Sequence, residues 1–259
     1  MNPVTSHPTT ALVRPPSPRL ADGIVTHIHR NPVDVDVAHR QWLDYVRALR
    51  DHGWHIVEVP RADNCPDGVF IEDAVVMFKG HAIVTNPGSP LRRPETSSAR
   101  STVEGLGLPV HHIVEPGHLD GGDVLKVGDS IYVGRSGRTD DEGIRQFATI
   151  VAPLGGVVVT VPLTKVLHLK SAVTALPDGT IIGWRDAVDD PSVFPNFTAM
   201  PEESGAHVVI LDEHTLLMSS DAPRSADYLR SLGYTTVEVD IGEFVKLEGC
   251  VTCLSVRVR

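Results

Sequence analysis

Apolar and polar positions divide the chain into a unit that recurs about every fifty residues: a helix, a glycine, a strand, a polar loop and a hairpin. In the first copy the helical pattern of residues 40–52 stops at Gly53. Residues 54–60 (WHIVEVP) then read as a strand and 74–85 (AVVMF-KGH-AIVT) as a hairpin. The second copy has a weaker helix after Pro94 ending near Gly105–Gly107, a strand at 109–116 and a hairpin at 123–134. The third has the clearest helix, residues 140–154, with Ile144, Phe147, Ile150 and Val151 on one face. Gly155–Gly156, the strand VVVTVP and a hairpin around Pro177–Asp178–Gly179 follow it. A fourth copy begins irregularly over the proline-rich residues 184–203, although 207–218 is a plain hairpin. A last helix, 225–232, ends at Gly233, and the strand YTTVEVD leads through a loop to the terminal VTCLSVRV. That terminal strand lacks a sequential partner. The N-terminal ALVRPP stretch is the obvious one, and pairing head with tail would close a ring of about five such units into one domain spanning residues 1–259.

The unusual polar residues collect in the loops between each lone strand and the next hairpin. Asp67, Glu72 and Asp73 lie in the first such loop, Asp120 and Asp123 in the second, His168 in the third, and Glu248, Cys250 and Cys253 in the last. Pseudo-symmetry would gather these loops around one axis. A thiol, an imidazole and several carboxylates would then share one site, which are the parts of a nucleophile–base system and a cation receptor.

Composition narrows the classes. With 41% hydrophobic and 22% charged residues the chain is of ordinary globular type, and no apolar run approaches the roughly 20 residues needed to cross a bilayer. The net charge of −10 comes without any concentrated basic stretch, so nucleic acid is not an expected partner, and a cationic ligand is compatible with it. The first dozen residues lack the charged and apolar regions of a secretory signal; cytoplasmic residence is the expectation, with about residues 1–10 disordered. Three cysteines, Cys65, Cys250 and Cys253, are too few for a disulfide framework.

Plainer readings compete at each position. Cys250 and Cys253 form a C-x-x-C motif, but a redox motif of that kind opens a helix and only six residues remain here. A zinc site would need two further soft ligands at suitable spacing, and the 13 histidines show no H-x₃₋₅-H pairing near cysteine. Taken alone, His168 reads as a core histidine, LDGGDV as a turn, Asp73 as a strand-entry residue and Arg92–Arg93 as a solvated pair. Their convergence in one repeat favours chemistry.

Five segments together resemble one family: PDGVFIED (66–73), LDGGDV (119–124), VGRSGRT (133–139), VLHLKS (166–171) and EGCVTCLS (248–255). In this order, and without the helical insertion that marks arginine deiminases, they are similar to the dimethylarginine dimethylaminohydrolases of the amidinotransferase and arginine deiminase superfamily. The resemblance implies a five-bladed α/β propeller of ββαβ-type units. It implies hydrolysis of methylated arginine to citrulline and methylamine or dimethylamine, with no metal or organic cofactor. By it Cys253 is the nucleophile, His168 the acid–base, and Asp120 the group that orients His168 or the substrate guanidinium. Asp73 would bind the guanidinium, and Asp67 and Glu72 would also bind substrate. Arg92 and Arg138 would hold its α-carboxylate, Ile24 and Leu247 would act through their backbones, and Phe70 would pack on the alkyl chain. The longer N-terminal tail and Cys250 depart from the family pattern. A homodimer is a possible assembly. The rival readings are another guanidino-modifying enzyme, such as a deiminase or amidinotransferase, and an inactive module that binds arginine-like ligands.

Overall fold

The computed structural model describes residues 9–259. Its first strand, β1 (Thr10–Val13), is buried along its whole length because it is the central strand of a sheet. On one side it runs parallel to β2 (His55–Glu58), and on the other antiparallel to the last strand of the chain. Between β1 and β2 runs α1 (Val35–Asp51), whose N-cap Asp34 accepts from the Val37 N–H at 2.9 Å. That cap starts the helix five residues earlier than the apolar spacing predicts, because valines alternate with aspartates there and mask the helical period. The expected disorder of residues 1–10 lies largely outside the described residues, and Thr10 already opens the strand.

The other sheets share one plan. β3 (Val75–Phe78) and β4 (His81–Val84) form a hairpin, α2 (Thr96–Gly105) follows, and β5 (Val110–His112) returns parallel to β4. The same order gives β6 (Val124–Val127), β7 (Ser130–Arg135), α3 (Asp141–Val151) and β8 (Val157–Pro162). The fourth sheet has β9 (Val173–Ala175), β10 (Ile181–Gly183) and β11 (Phe197–Ala199), with a short 3₁₀ turn in place of the helix. Its third strand falls inside the stretch expected to be irregular. The fifth sheet has β12 (Val208–Ile210), β13 (Thr215–Ser219), α4 (Pro223–Ser231) and β14 (Thr235–Val239). After the short α5 (Gly242–Val245), β15 (Val256–Val258) pairs with β1 and completes the first sheet. Each lone strand therefore joins the hairpin before its helix, and the polar loops are the connections between blades.

Packing explains the closure. The described core falls into five clusters, each shared by two neighbouring blades. Along β3 all four residues are buried, but Val75 and Met77 enter one cluster while Val76 and Phe78 enter the next. The period of two is present, with both faces apolar, so no blade can bury its surfaces alone. Among the described residues no helix is long and apolar enough to cross a membrane.

Candidate active site

Four inter-blade connections end in the same tight turn, in which a backbone N–H bonds the carbonyl three residues earlier. It occurs as Asp73 to Phe70 (3.2 Å), Asp123 to Asp120 (3.0 Å), Ser171 to His168 (3.0 Å) and Cys253 to Cys250 (3.1 Å). Asp73, Asp123 and Cys253 thus occupy equivalent places in the repeat, as do Asp120, His168 and Cys250. Ring closure brings them together.

His168, almost fully buried, has Nε2 at 3.0 Å from Asp120 Oδ2 and Nδ1 at 3.9 Å from Asp73 Oδ1. Burial opposes its charge, but the neighbouring carboxylates Asp73, Asp120 and Asp123 prevail and raise its pKa to about 9. The imidazole is therefore an imidazolium at neutral pH. Burial likewise opposes ionisation of Asp73, yet His168, Arg92 and the Gly122 N–H (2.7 Å) hold its pKa down at about 2. Asp123, raised to about 6 by burial, accepts from the Leu169 N–H, Ser136 and Thr139 and so pins the turn that carries His168. The two glycines of LDGGDV are there for approach: a Cβ on Gly122 would stand 2.6 Å from His168 Nδ1, and one on Gly121 2.0 Å from the Glu72 carbonyl oxygen.

Cys253 faces the same small cavity, of about 20 Å³, as His168, Asp73, Asp67, Phe70, Ile24, Leu247 and Arg138. Its Sγ lies 3.4 Å from Cys250 Sγ and 3.5 Å from the Cys250 N–H. The two sulfurs compete for protons. Sharing with Cys253 lowers the Cys250 pKa to about 5, while that partner, burial, and the charges of Glu72 and Asp73 push Cys253 up. Asp67 accepts the Ile24 N–H through both oxygens, at 3.1 and 3.2 Å, and burial raises its pKa. Phe70 meets Phe244 edge to face.

Of the expected substrate ligands, Glu72 stands outside the cavity and Arg92 lines it with its guanidinium already engaged. Glu72 points away from Cys253, and its Oε1 takes Lys170 Nζ and Arg257 Nη2, each at 2.6 Å. Arg92 borders the cavity, but its guanidinium is engaged within the protein: Nη1 meets Asp73 at 2.5 Å, and Nε and Nη2 meet Glu95 at 3.0 and 2.8 Å. Nη2 also donates to the carbonyls of Asp67 and Phe70. Arg138 is less committed, with Nη1 at 3.7 Å from Asp120 Oδ2. Asp120 does not line the cavity and reaches it through His168. The wall also includes Leu167, Glu248 and Gly249, to which no substrate role was expected. Glu248, at a positive φ of 63°, accepts the N–H groups of Thr26 and His27 and so holds the exposed loop that follows Ile24. Asp73, Asp120 and His168 present potential metal-ligand atoms within 4.8 Å of one another.

No family model matches the chain. It is 59% identical to N(G),N(G)-dimethylarginine dimethylaminohydrolase of Streptomyces coelicolor over 249 residues, 96% of each chain. Two solved structures of such enzymes superpose closely. One, a Cys-to-Ser variant from Pseudomonas aeruginosa complexed with citrulline, has a TM-score of 0.90 and 34% identity over 97% of this chain and 99% of its own. The other, a His-to-Gly variant as an adduct with S-methyl-L-thiocitrulline, has a TM-score of 0.91 and 33% identity over 97% and 100%. An identity of that size over nearly the whole length, with a thiol, an imidazolium and an ionised carboxylate converging at the propeller axis, leaves one assignment: the chain belongs to the dimethylarginine dimethylaminohydrolase family.

Proposed function

We propose that this chain hydrolyses Nω-methylated arginine to citrulline and methylamine or dimethylamine through a thiouronium on Cys253. The observation that carries the reading is the shared pocket of Cys253, His168 and Asp73, in which a nucleophile, a charged acid and a permanent anion face one point. A guanidinium resists attack because its charge is delocalised and its pKa lies near 13. Asp73 stays ionised at any ordinary pH and has lone pairs left for the substrate cation. Arrival of that cation also favours the thiolate of Cys253 over the thiol, since it offsets the negative charge that keeps the sulfur protonated. The thiolate then adds to the central carbon, and the His168 imidazolium gives its proton to the departing amine. The C–N bond breaks and the thiouronium remains. Neutral His168 next takes a proton from water, whose oxygen adds to the same carbon. The C–S bond then breaks, releasing citrulline.

In this reading Asp120 fixes the tautomer and angle of His168, Arg92 holds Asp73 in place, and Arg138 meets the substrate α-carboxylate. Ile24 and Leu247 bound the substrate at the clasped loop, and Phe70 packs on its alkyl chain. Asp67 anchors Ile24, while Glu72 serves from behind by bonding the turn's Lys170 and Arg257. The ring works as one catalytic domain, located in the cytoplasm, and sizing by light scattering tests for a homodimer. The direct test of function is citrulline release from asymmetric dimethylarginine, monomethylarginine and arginine side by side. Turnover of the methylated substrates is expected to exceed that of arginine. Preference for arginine makes the chain a deiminase, and no turnover with retained binding makes it a binding module.

A further inference from the structure

The four turns that build the catalytic pocket also floor a second cavity. Asp73 faces Cys253 while its neighbour Glu72 faces the other way, and the same alternation separates His168 from Lys170 and Cys253 from Thr252. This second space, about 330 Å³, receives Lys126, Lys170, Arg257 and Arg259, and Glu72 is the one side-chain carboxylate in its wall. A fifth cation, Lys79, borders it but is paired with Asp129 at 2.6 Å.

Hydrogen bonding inside the cavity is nearly complete, but the charge is not balanced. Lys126 Nζ donates to the Met77 carbonyl at 2.6 Å, and Arg257 donates to the carbonyls of Thr252 and Ser255. None of these three acceptors carries charge. Glu72 neutralises only one of the four cations through Oε1, and its buried Oε2 has no protein partner. Burial, then repulsion from Lys170 and Arg257, pushes Lys126 down to about 7. In a chain whose net charge is −10, this is a local concentration of positive potential.

We propose that this cavity binds a phosphate-type dianion, as inorganic phosphate or the terminal phosphate of a small monoester, independently of the substrate pocket. Monohydrogen phosphate supplies two negative charges to Lys126, Arg259 and their neighbours. It also has one O–H, which sulfate lacks, and that proton suits Glu72, whose unpartnered Oε2 is buried in the wall and reaches the ligand on a turn of the carboxylate. Lys126 and Arg259, the latter stacked over Trp54 with Nη2 on the Ile210 carbonyl, line this cavity and take no part in the catalytic pocket, so they separate the two sites.

The test is calorimetric titration of the full chain with inorganic phosphate, glycerol phosphate, sulfate and sodium chloride at matched ionic strength. Phosphate is expected to bind with unit stoichiometry and sulfate at least about tenfold more weakly. Binding of glycerol phosphate as well means that the site takes the ester; its failure assigns the site to the free ion. The pair Lys126→Gln and Arg259→Gln should weaken phosphate binding at least about tenfold without changing citrulline formation in phosphate-free buffer, while Lys126→Arg keeps both. Blocking Cys253 with iodoacetamide should leave phosphate binding intact. The proposal is overturned by the absence of phosphate-specific binding, by equal binding of sulfate, by binding indifferent to the double substitution, or by loss of binding when Cys253 is blocked.

Discussion

The Sγ atoms of Cys250 and Cys253 stand 3.4 Å apart, and each sets the other's protonation. Cys253→Ala should abolish turnover, whereas Cys250→Ser should keep most of it. Because Cys250 is the first cause of the raised Cys253 pKa, Cys250→Ser should also move the pH midpoint of Cys253 alkylation downward. Rates of iodoacetamide labelling followed by peptide mapping check this. Equal activity losses in the two variants, or an unmoved midpoint, contradict the assignment.

His168→Ala removes the acid for the first step and the base for the second. Turnover should fall at least about a hundredfold. The thiouronium should accumulate on Cys253 and appear as added mass on the intact protein after mixing with methylated arginine. An unmodified variant that melts earlier yet still turns over would assign His168 to structure alone.

The raised pKa of His168 also links folding to pH. A group whose pKa rises from 6.5 to about 9 on folding stabilises the protein fully below about 6.5, and that contribution disappears as pH climbs through about 9. It is on the order of 3 kcal/mol. Urea midpoints of the parent chain should therefore fall between pH 6.5 and 9, with a shallower fall in His168→Ala. Over the same alkaline limb kcat/KM should decline as the imidazolium proton is lost. A pH-independent difference between the two proteins would show that the imidazole is uncharged in the fold.

The two arginines of the pocket wall should fail differently. Arg138→Ala is expected to raise KM about tenfold or more for amino-acid substrates, and to change a simple alkylguanidine little, since that molecule has no carboxylate to lose. Arg92→Ala leaves Asp73 and Glu95 buried without their cation, which costs about 3–5 kcal/mol of stability and should depress turnover on both substrates. Steady-state kinetics on the paired substrates, read beside melting curves, separate the roles.

Periodicity made the ring legible, since each helix stop, lone strand and hairpin has a local signature. β11 escaped because it is three residues long in a proline-rich stretch and its blade has no helix before it. The start of α1 escaped because its cap, Asp34, is one of several aspartates alternating with valines. At the site, the loops bearing Asp73, Asp120, His168 and Cys253 could be found by their place in the repeat. The direction of a side chain could not. Glu72 and Asp73 are adjacent in sequence and face different cavities, and Arg92 reaches the pocket wall only to be taken up by two buried carboxylates. Glu248 stands out by its place in the last polar loop, but its contacts with Thr26 and His27 depend on a loop more than two hundred residues earlier, which no local signal announces.

The pairing of β15 with β1 also has a meaning in time. Translation emits β1 first and β15, only three residues past Cys253, some tens of seconds later at ordinary elongation rates. Until then the growing polypeptide carries His168 and the site carboxylates but not Cys253, and an open edge on β1 waits for its second neighbour. Synthesis of Cys253 and of the strand that locks the ring are thus nearly one event, three residues apart.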